Sequence, residues 1–180
     1  MVSFKNKTVF VTGASSGIGR SAACQFAALG ARLILAARRV DRLQRLAKEL
    51  SDSYGTESRV LELDVSDTKA VHDQLTHLEG AWKDVDVLLN NAGGALGLER
   101  LDQGTLDDWW QMIDVNIKGV LAVTHALLPR MIERQVGHII FIGSTAGHGV
   151  YPGGAVYCAS KHAIKALNQG LKVDLHGTPI

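Results

Sequence analysis

A tyrosine and a lysine four positions apart could form an acid/base pair near the end of this chain. Tyr157 and Lys161 lie in the segment VYCASK, and Ser144 precedes Tyr157 by thirteen residues. On a helix, side chains at this spacing share one face, with about 5–6 Å between their Cβ atoms. A phenol exchanges protons poorly at neutral pH, and a neighbouring ammonium favours its ionised form. The pair could handle a proton for a hydroxyl or carbonyl substrate, although most such pairs are only surface neighbours.

A glycine-rich turn follows the first apolar segment of the chain. It reads TGASSGIG over residues 12–19. Glycines let the backbone turn tightly and approach a ligand closely. The helix that follows offers unpaired N–H groups and a positive dipole end to a phosphate. The spacing GxxxGxG differs from the GxGxxG of the usual dinucleotide fingerprint. The turn predicts a phosphate site, and a tight loop without a ligand is the alternative.

Two arginines end the second predicted strand, where an acidic residue would mark an NAD site. Dinucleotide-binding units usually place a carboxylate about 20 positions after the glycine turn, where it holds the ribose 2′-hydroxyl. This chain has Arg38 and Arg39 in that region. A guanidinium can bind a phosphate through two parallel hydrogen bonds. The arginines therefore predict NADP(H), and a solvated surface pair is the alternative.

Strands and helices alternate around these residues. Short apolar runs predict strands over 8–12, 32–37, 59–63, 85–90 and 138–142. Helical spacing predicts helices over 17–29, 40–53, 67–82, 106–134 and 155–176. Ser66 is the expected N-cap of the third helix, and Pro129 should kink or end the fourth. The alternation predicts an α/β fold whose parallel sheet is covered by helices on both faces.

The composition excludes several classes of protein. The 180 residues suit one domain spanning 1–180, and a formal charge of +1 favours neither nucleic acid nor an anionic membrane surface as partner. Cys24 and Cys158 have no metal or redox spacing, and the polar N-terminus does not resemble a signal peptide. Uninterrupted apolar runs fall short of the roughly 20 residues of a membrane span. We expect a cytoplasmic protein without a metal site.

Six sequence pieces together resemble the short-chain dehydrogenases/reductases. In chain order they are TGASSGIG at 12–19, Asp64 after the third strand, NNAG at 90–93, Asn116 in VNIKG, Ser144 in IGSTAG, and YCASK at 157–161. The resemblance covers nearly all of that fold except its C-terminal end. It implies a Rossmann-type, doubly wound parallel sheet in three αβα layers with strand order 3-2-1-4-5. The family's sixth and seventh strands are absent from the chain, which we expect to be truncated.

The resemblance also implies roles for individual residues. Tyr157 would be the acid/base, and Lys161 would favour its phenolate and bind the nicotinamide ribose. Ser144 would orient the substrate oxygen, and Asn116 would keep a water beside Lys161 in a proton relay. Asp64 would contact the adenine. The full set of expected NADP-binding residues is Gly13, Ser15, Ser16, Gly17, Ile18, Gly19, Arg38, Arg39, Asp64, Val65, Asn90, Ala92, Gly93, Tyr157 and Lys161.

Within the family, the segments DDWWQMIDVN and DLHGT resemble the NADP-dependent 3-hydroxy acid dehydrogenases. That group acts on serine, L-allo-threonine and small 3-hydroxy acids. The expected substrate-lining residues are Ser144, Thr145, His148 and Tyr151. A reductase for 3-oxoacyl thioesters or other ketones is one alternative. A non-catalytic nucleotide-binding protein is an alternative of another class.

The resemblance further implies self-association. In this family the helices that carry Asn116 and Tyr157 commonly pack in a four-helix interface between two copies. Leu121, Leu128 and Leu167 are the candidate apolar members of that interface. We expect a homodimer or a homotetramer.

Overall fold

The computed structural model describes residues 3–180, and one parallel sheet of five strands lies at its centre. The strands are β1 (Thr8–Thr12), β2 (Arg32–Ala37), β3 (Ser58–Glu62), β4 (Val87–Asn90) and β5 (His138–Phe141). Their order across the sheet is β3-β2-β1-β4-β5, and every neighbouring pair is parallel. The predicted strand order is confirmed, and strand ends differ from the predictions by at most two residues.

Helices connect the strands. They are α1 (Gly17–Ala28), α2 (Val40–Tyr54), α3 (Thr68–Thr76), α4 (Leu106–Ile113), α5 (Val120–Arg134) and α6 (Ala155–Asp174). A π-helical stretch, here the π segment (Asp114–Gly119), joins α4 to α5. Two short 3-10 turns lie at Gly80–Trp82 and Thr145–Gly147.

Side-chain alternation along the strands divides the core into two layers. Val9 and Val11 of β1 belong to the cluster that α1 and α2 cover, whereas Phe10 belongs to the cluster beneath α3 and α5. Because successive residues of a strand point to opposite faces, a continuous apolar strand fills both layers. The three-layer Rossmann-type arrangement predicted from the family resemblance is confirmed.

Helix α2 shows how local sequence builds these layers. Leu43, Leu46 and Leu50 recur at helical spacing and are buried against the sheet. Asp41 lies in the first turn, where its negative charge interacts favourably with the positive end of the helix dipole. Gly55 ends the helix with φ of 65°, a left-handed conformation that glycine adopts without a steric penalty.

The third helix is shorter than predicted and has a different cap. Asp67, not Ser66, is its N-cap, and the Asp67 side chain accepts a hydrogen bond of 2.9 Å from the Ala70 N–H. Ser66 instead donates from its hydroxyl to Asp64 at 2.7 Å. The helix ends at Thr76, and the Gly80–Trp82 turn follows. The helix therefore begins one residue later than predicted, and the Asp67 carboxylate serves as the N-cap acceptor.

The fourth predicted helix is interrupted at the π segment and not at Pro129. Pro129 lies inside α5, which continues to Arg134. Pro129 has no N–H to donate to the His125 carbonyl, and both residues lie on the exposed side of α5. The predicted end of the helix at Pro129 is therefore wrong, and the alternative, a kink at Pro129, stays a prediction.

The helical run Leu106–Arg134 is long and apolar enough to cross a membrane by length and composition alone. The core helix of a sheet protein meets the same criterion. Here Val123, Leu127 and Met131 are buried beneath the sheet, in the same cluster as Phe10. The apolar character of this run is thus used in covering one face of the sheet.

Candidate functional site

A cavity of about 700 Å³ opens at the carboxyl ends of the strands. In open α/β sheets, ligands bind at this edge, where the strand order reverses. Most of the expected cofactor-binding and catalytic residues line it, namely Gly13, Ser15, Ser16, Gly17, Ile18, Arg38, Arg39, Asp64, Val65, Ala92, Gly93, Asn116, Ser144, Tyr157 and Lys161. The fold thus brings together side chains that lie far apart in the sequence.

Two of the expected cofactor residues lie outside the cavity wall. Gly19, the last residue of the glycine turn (residues 12–19), is buried and does not line the cavity. Asn90 is 3% exposed, and its side chain donates to the Thr124 hydroxyl of α5 at 2.9 Å. The next residue, Asn91, lines the cavity instead. Strand alternation could have indicated this, because Asn90 shares its face with Leu88 of the α5 layer.

Three of the expected substrate residues also lie outside this cavity. Thr145 and His148 are exposed in the loop after Ser144, and His148 lies 3.2 Å from the Lys165 ammonium. Tyr151 is 41% exposed and borders a small neighbouring crevice that Tyr157 also lines. Ser144 is the one member of this predicted group on the cavity wall.

The glycine turn is held by close backbone contacts. Gly13 and Gly17 have φ of 65° and 55°, which favours glycine at both positions. A Cβ on Gly19 would lie 2.6 Å from the Gly13 carbonyl oxygen. The Asn91 amide donates to the Thr12 carbonyl at 2.9 Å and to the Gly13 carbonyl at 3.3 Å. The Gly13–Gly19 contact and the Asn91 amide therefore both hold the backbone of the turn in place.

Thr12 joins the glycine turn to the loop after β4, a function that the sequence did not indicate. Its hydroxyl accepts from the backbone N–H groups of Asn91 and Ala92, at 2.8 and 2.9 Å, and donates to the Leu89 carbonyl at 3.2 Å. One buried hydroxyl thus satisfies three backbone groups where β1 and β4 end. A threonine at the last position of β1, facing its neighbour strand, was the available signal.

Arg38 and Arg39 lie at one end of the cavity. The Arg39 guanidinium donates to the Ser15 hydroxyl at 2.9 Å and to the Ser16 hydroxyl at 2.8 Å. Arg38 lies 3.7 Å from the Asp64 carboxylate. Burial raises the pKa of Asp64, but hydrogen bonds from Ser66 and the charge of Arg38 outweigh it and hold the pKa below its ordinary value. This end combines two guanidiniums with one ionised carboxylate.

Tyr157 and Lys161 lie at the opposite end, on consecutive turns of α6. Lys161 is only 8% exposed, and its ammonium donates to the Ile142 carbonyl at 2.8 Å. The same nitrogen lies 5.9 Å from the centre of the Tyr157 ring. Burial lowers the pKa of Lys161 from its ordinary value. The predicted proximity of the pair on one helix face is therefore present.

Asn116 lies in the middle of the π segment and is 1% exposed. The side-chain oxygen of Asn116 (Oδ1) accepts from the Gly94 N–H, and its side-chain nitrogen (Nδ2) donates to the Gly94 carbonyl, both at 2.9 Å. A π-helical turn inside an α-helix often marks a functional site. Here the turn coincides with the residue that lies beside Lys161 across Gly93.

Ser144 follows β5 and caps the Thr145–Gly147 turn. Its hydroxyl accepts from the Ala146 N–H at 3.1 Å, which leaves the hydroxyl proton free to donate into the cavity. A Cβ on Gly147 would lie 2.8 Å from the Lys161 carbonyl oxygen, so this turn packs directly on α6. Ser144 is held beside Tyr157 and Lys161 by that contact.

The order of these pieces matches a known family. A sequence profile described as short chain dehydrogenase matches residues 7–180. The chain belongs to this family. The family predicted from the motifs is confirmed, and with it the class of the enzyme, an oxidoreductase.

Two curated relatives and one solved structure show the degree of similarity in sequence and structure. NADP-dependent 3-hydroxy acid dehydrogenase YdfG from Salmonella typhi is 45% identical over 172 residues, covering 96% of this chain and 68% of the relative. Sulfoacetaldehyde reductase 2 from Chromohalobacter salexigens is 46% identical over 173 residues, with the same coverage of 96% and 68%. The closed form of a serine dehydrogenase with NADP+ has a TM-score of 0.88 at 43% identity, covering 95% of this chain and 67% of that one.

The cavity of this short-chain dehydrogenase fits a dinucleotide. A Cβ on Gly17 would meet no atom within 4 Å, so the glycine turn borders open space. The N-cap of α1, Ser16, makes no capping hydrogen bond with its side chain. The first N–H groups of α1 can therefore bind a phosphate. The remaining wall leads from the two arginines to Tyr157 and Lys161, which suits an extended ligand with a phosphate group at its middle.

Proposed function

We propose that this short-chain dehydrogenase transfers a hydride between NADP(H) and a small alcohol or carbonyl compound. The observation that carries the proposal is one cavity with Arg38 and Arg39 at one end and Ser144, Tyr157 and Lys161 at the other. The relatives named NADP-dependent and the neighbour solved with NADP+ support the cofactor. The arginines would hold the 2′-phosphate, and the glycine turn would hold the pyrophosphate.

The residues at the Tyr157 end would manage the proton, while bound NADP(H) would supply or accept the hydride. Tyr157 would give a proton to the substrate oxygen or take one from it. The Ser144 hydroxyl, whose proton is free, would donate a hydrogen bond to the same oxygen. The Lys161 ammonium uses one of its three protons on Ile142, so two remain for the ribose hydroxyls.

Asn116 has both ends of its side-chain amide engaged by Gly94 and α6. Its side chain would therefore shape the cavity wall beside Lys161 and would not touch the substrate. The water relay predicted from the family resemblance remains a prediction. Asp64, beside Arg38, would contact the adenine, and Val65 would line its ring.

The names of the two curated relatives share one chemical feature. A 3-hydroxy acid has a single carbon between its carbinol carbon and its carboxylate, and sulfoacetaldehyde has a single carbon between its carbonyl carbon and its sulfonate. We propose that the substrate of this chain has the same layout, with an anionic group one carbon away from the reacting carbon. Serine, L-allo-threonine and small 3-hydroxy acids fit this description.

A substrate panel tests the proposal. Serine, L-allo-threonine, 3-hydroxybutyrate and sulfoacetaldehyde should react with NADP(H) faster than an uncharged ketone or an acetoacetyl thioester. Preference for the thioester would favour the 3-oxoacyl reductase alternative. NADPH binding without turnover of any compound would favour the non-catalytic alternative.

The cofactor assignment has its own test. Replacing Arg38 or Arg39 with Gln should weaken NADPH binding about tenfold or more, because each loses a charge-assisted hydrogen bond to phosphate. NADH binding should be unchanged. Arg45→Gln is the matched control, since Arg45 is exposed on α2 and pairs with Asp41. Equal loss of NADPH and NADH affinity would contradict a 2′-phosphate site.

We also propose that the chain acts in the cytoplasm as a homodimer or homotetramer, without nucleic acid or membrane as partner. Leu121 of α5 is 45% exposed, and Leu128 and Leu167 are half-buried on the helices expected at the interface. Light scattering at micromolar concentration should give at least twice the 19.3 kDa mass of the chain. A monomer under those conditions would rule out this assembly.

A further inference from the structure

Ser160 lies between the two residues assigned to proton handling, yet it does not line the cavity. Tyr157 and Lys161 border the cavity, whereas Ser160 is 1% exposed and points into the packing between α6 and the π segment. A buried hydroxyl is stable only when it is hydrogen-bonded. Its partners therefore indicate what this side chain does.

Ser160 links the Tyr157 turn of α6 to a residue far away in the sequence. Its hydroxyl donates to the Tyr157 carbonyl at 2.7 Å and accepts from the Asn116 amide nitrogen at 3.0 Å. The direction of both bonds is fixed, because a carbonyl can only accept and an amide NH₂ can only donate. One hydroxyl thus connects α6 to the centre of the π segment.

The other atoms of the Asn116 amide extend this connection to the loop after β4. The amide oxygen accepts from the Gly94 N–H, and the amide nitrogen donates to the Gly94 carbonyl. Three separate parts of the chain therefore meet through one amide group and one hydroxyl. Buried networks of this kind hold their elements at a defined distance only while every member is satisfied.

The same place forms a narrow part of the cavity wall. A Cβ on Gly93 would lie 2.9 Å from the Asn116 carbonyl oxygen and 3.9 Å from the Lys161 ammonium. A small shift of α6 against the π segment would change the position of the ammonium relative to a bound ligand.

We propose that Ser160 is a positioning residue that acts through Asn116. It fixes the first turns of α6 against the π segment, and so sets where Tyr157 and Lys161 meet the nicotinamide ribose. This inference rests on the proposed function, because it assumes that the nicotinamide half of NADP(H) lies at the Tyr157 end. It adds a residue that neither touches the cofactor nor lines its cavity.

The proposal predicts that Ser160→Ala affects one half of the cofactor only. The substitution leaves a proton of the buried Asn116 amide without its Ser160 acceptor. NADPH affinity should fall about five- to tenfold, the loss expected for one hydrogen bond. Affinity for 2′,5′-ADP, which has the adenosine and 2′-phosphate but no nicotinamide, should change less than about twofold. Calorimetric titration measures both without any turnover.

Matched variants separate positioning from a general effect on folding. Ser51→Ala removes an exposed helical hydroxyl on α2 and should change neither affinity. Ser160→Thr keeps the hydroxyl and should restore most of the NADPH affinity. In an Asn116→Ala background, Ser160→Ala should add little further loss, because the two residues act through one bond.

Three results would overturn the inference. They are an unchanged NADPH affinity in Ser160→Ala, an equal loss of 2′,5′-ADP affinity, and losses at Ser160 and Asn116 that multiply independently. Failure of the unaltered chain to bind NADPH is a different outcome, since it would contradict the proposed function itself. Where turnover is measurable, Ser160→Ala should lower kcat more than it raises KM for the substrate.

Discussion

The glycine turn and the Tyr157 end of the cavity are built in different ways. The glycine turn is one continuous segment, residues 12–19, whose shape depends on glycine backbones packed against each other and against Asn91. The Tyr157 end is assembled from β5, the π segment and α6, and it holds a buried ammonium. Backbone geometry determines the shape of the glycine turn, whereas long-range side-chain contacts determine that of the Tyr157 end.

Substitutions in the two regions should therefore have different effects. At Gly19 a single added carbon would collide with the Gly13 backbone, so a substitution there should affect folding first. At the Tyr157 end the side chains of Ser144, Tyr157 and Lys161 line the cavity, so substitutions should affect chemistry while the fold remains. The following variants test that division, in order of decreasing expected effect.

Tyr157→Phe should have the largest effect, and it should be confined to catalysis. Loss of the hydroxyl removes the proposed acid/base, and turnover should fall about 10²–10⁴-fold. NADPH affinity and the free energy of unfolding should stay close to those of the unaltered chain. Tyr54→Phe, at the exposed end of α2, is the control. Full turnover in Tyr157→Phe would remove this residue from the mechanism.

Gly19→Ala should have the largest effect on folding. The new Cβ would lie 2.6 Å from the Gly13 carbonyl oxygen, and the backbone must move to relieve the collision. The expected loss in free energy of unfolding is about 1–3 kcal/mol, measured by urea denaturation. If the variant unfolded at the same urea concentration as the unaltered chain, the glycine turn could not be as tightly packed as described.

Lys161→Met tests the buried charge through its pH dependence. Burial lowers the pKa of Lys161 in the folded chain below 10.5. Between the folded and unfolded pKa values, the unfolded chain binds more protons, so the free energy of unfolding rises with pH. Below the folded pKa the penalty for burying the ammonium is fully present.

The measurement is denaturant unfolding of both proteins between pH 7 and 10. The unaltered chain should gain stability relative to Lys161→Met as the pH rises. Parallel pH profiles would show that burial has not lowered the pKa of this lysine.

Gly170→Ala should have the smallest effect, and it should stabilise. Gly170 lies inside α6, and a Cβ there would meet no atom within 4 Å. Replacing an unconstrained helical glycine with alanine adds about 0.5–1 kcal/mol. Gly55→Ala is the comparison, because it is equally open but has φ of 65°, so alanine should destabilise it. Thermal melts of the two variants should move in opposite directions.

The sequence was sufficient to predict whatever rests on local pattern. The glycine turn, the two arginines and the Tyr157–Lys161 pair are each formed by residues close together in the sequence. All three motifs line the cavity, as their spacing indicated. The strand order came from the family resemblance. Strand boundaries followed from apolar runs to within two residues, and the bounds of α2 followed from the spacing of Leu43, Leu46 and Leu50. The end of α3 and the break at the π segment did not follow from the sequence.

What the sequence did not indicate depends on contacts between distant segments. Asn91 rather than Asn90 reaches the cavity because the pleat of β4 directs Asn90 toward Thr124. The helix predicted over 106–134 had no break at Asp114–Gly119, where the structure has the π segment. No role was predicted for Ser160 from the YCASK segment, and only the folded chain shows that the Asn116 amide donates to its hydroxyl.

The contact between Gly147 and the Lys161 carbonyl also affects dynamics. A side chain at position 147 would have to separate the loop after β5 from α6, so loop and helix share one surface without intervening atoms. Segments packed in this way open together and not one at a time. Amide hydrogen exchange in residues 145–148 and 157–162 should then give a common free energy of opening. Ser144 and Tyr157 would then move together, so the distance between them would stay the same while the shape of the cavity fluctuates.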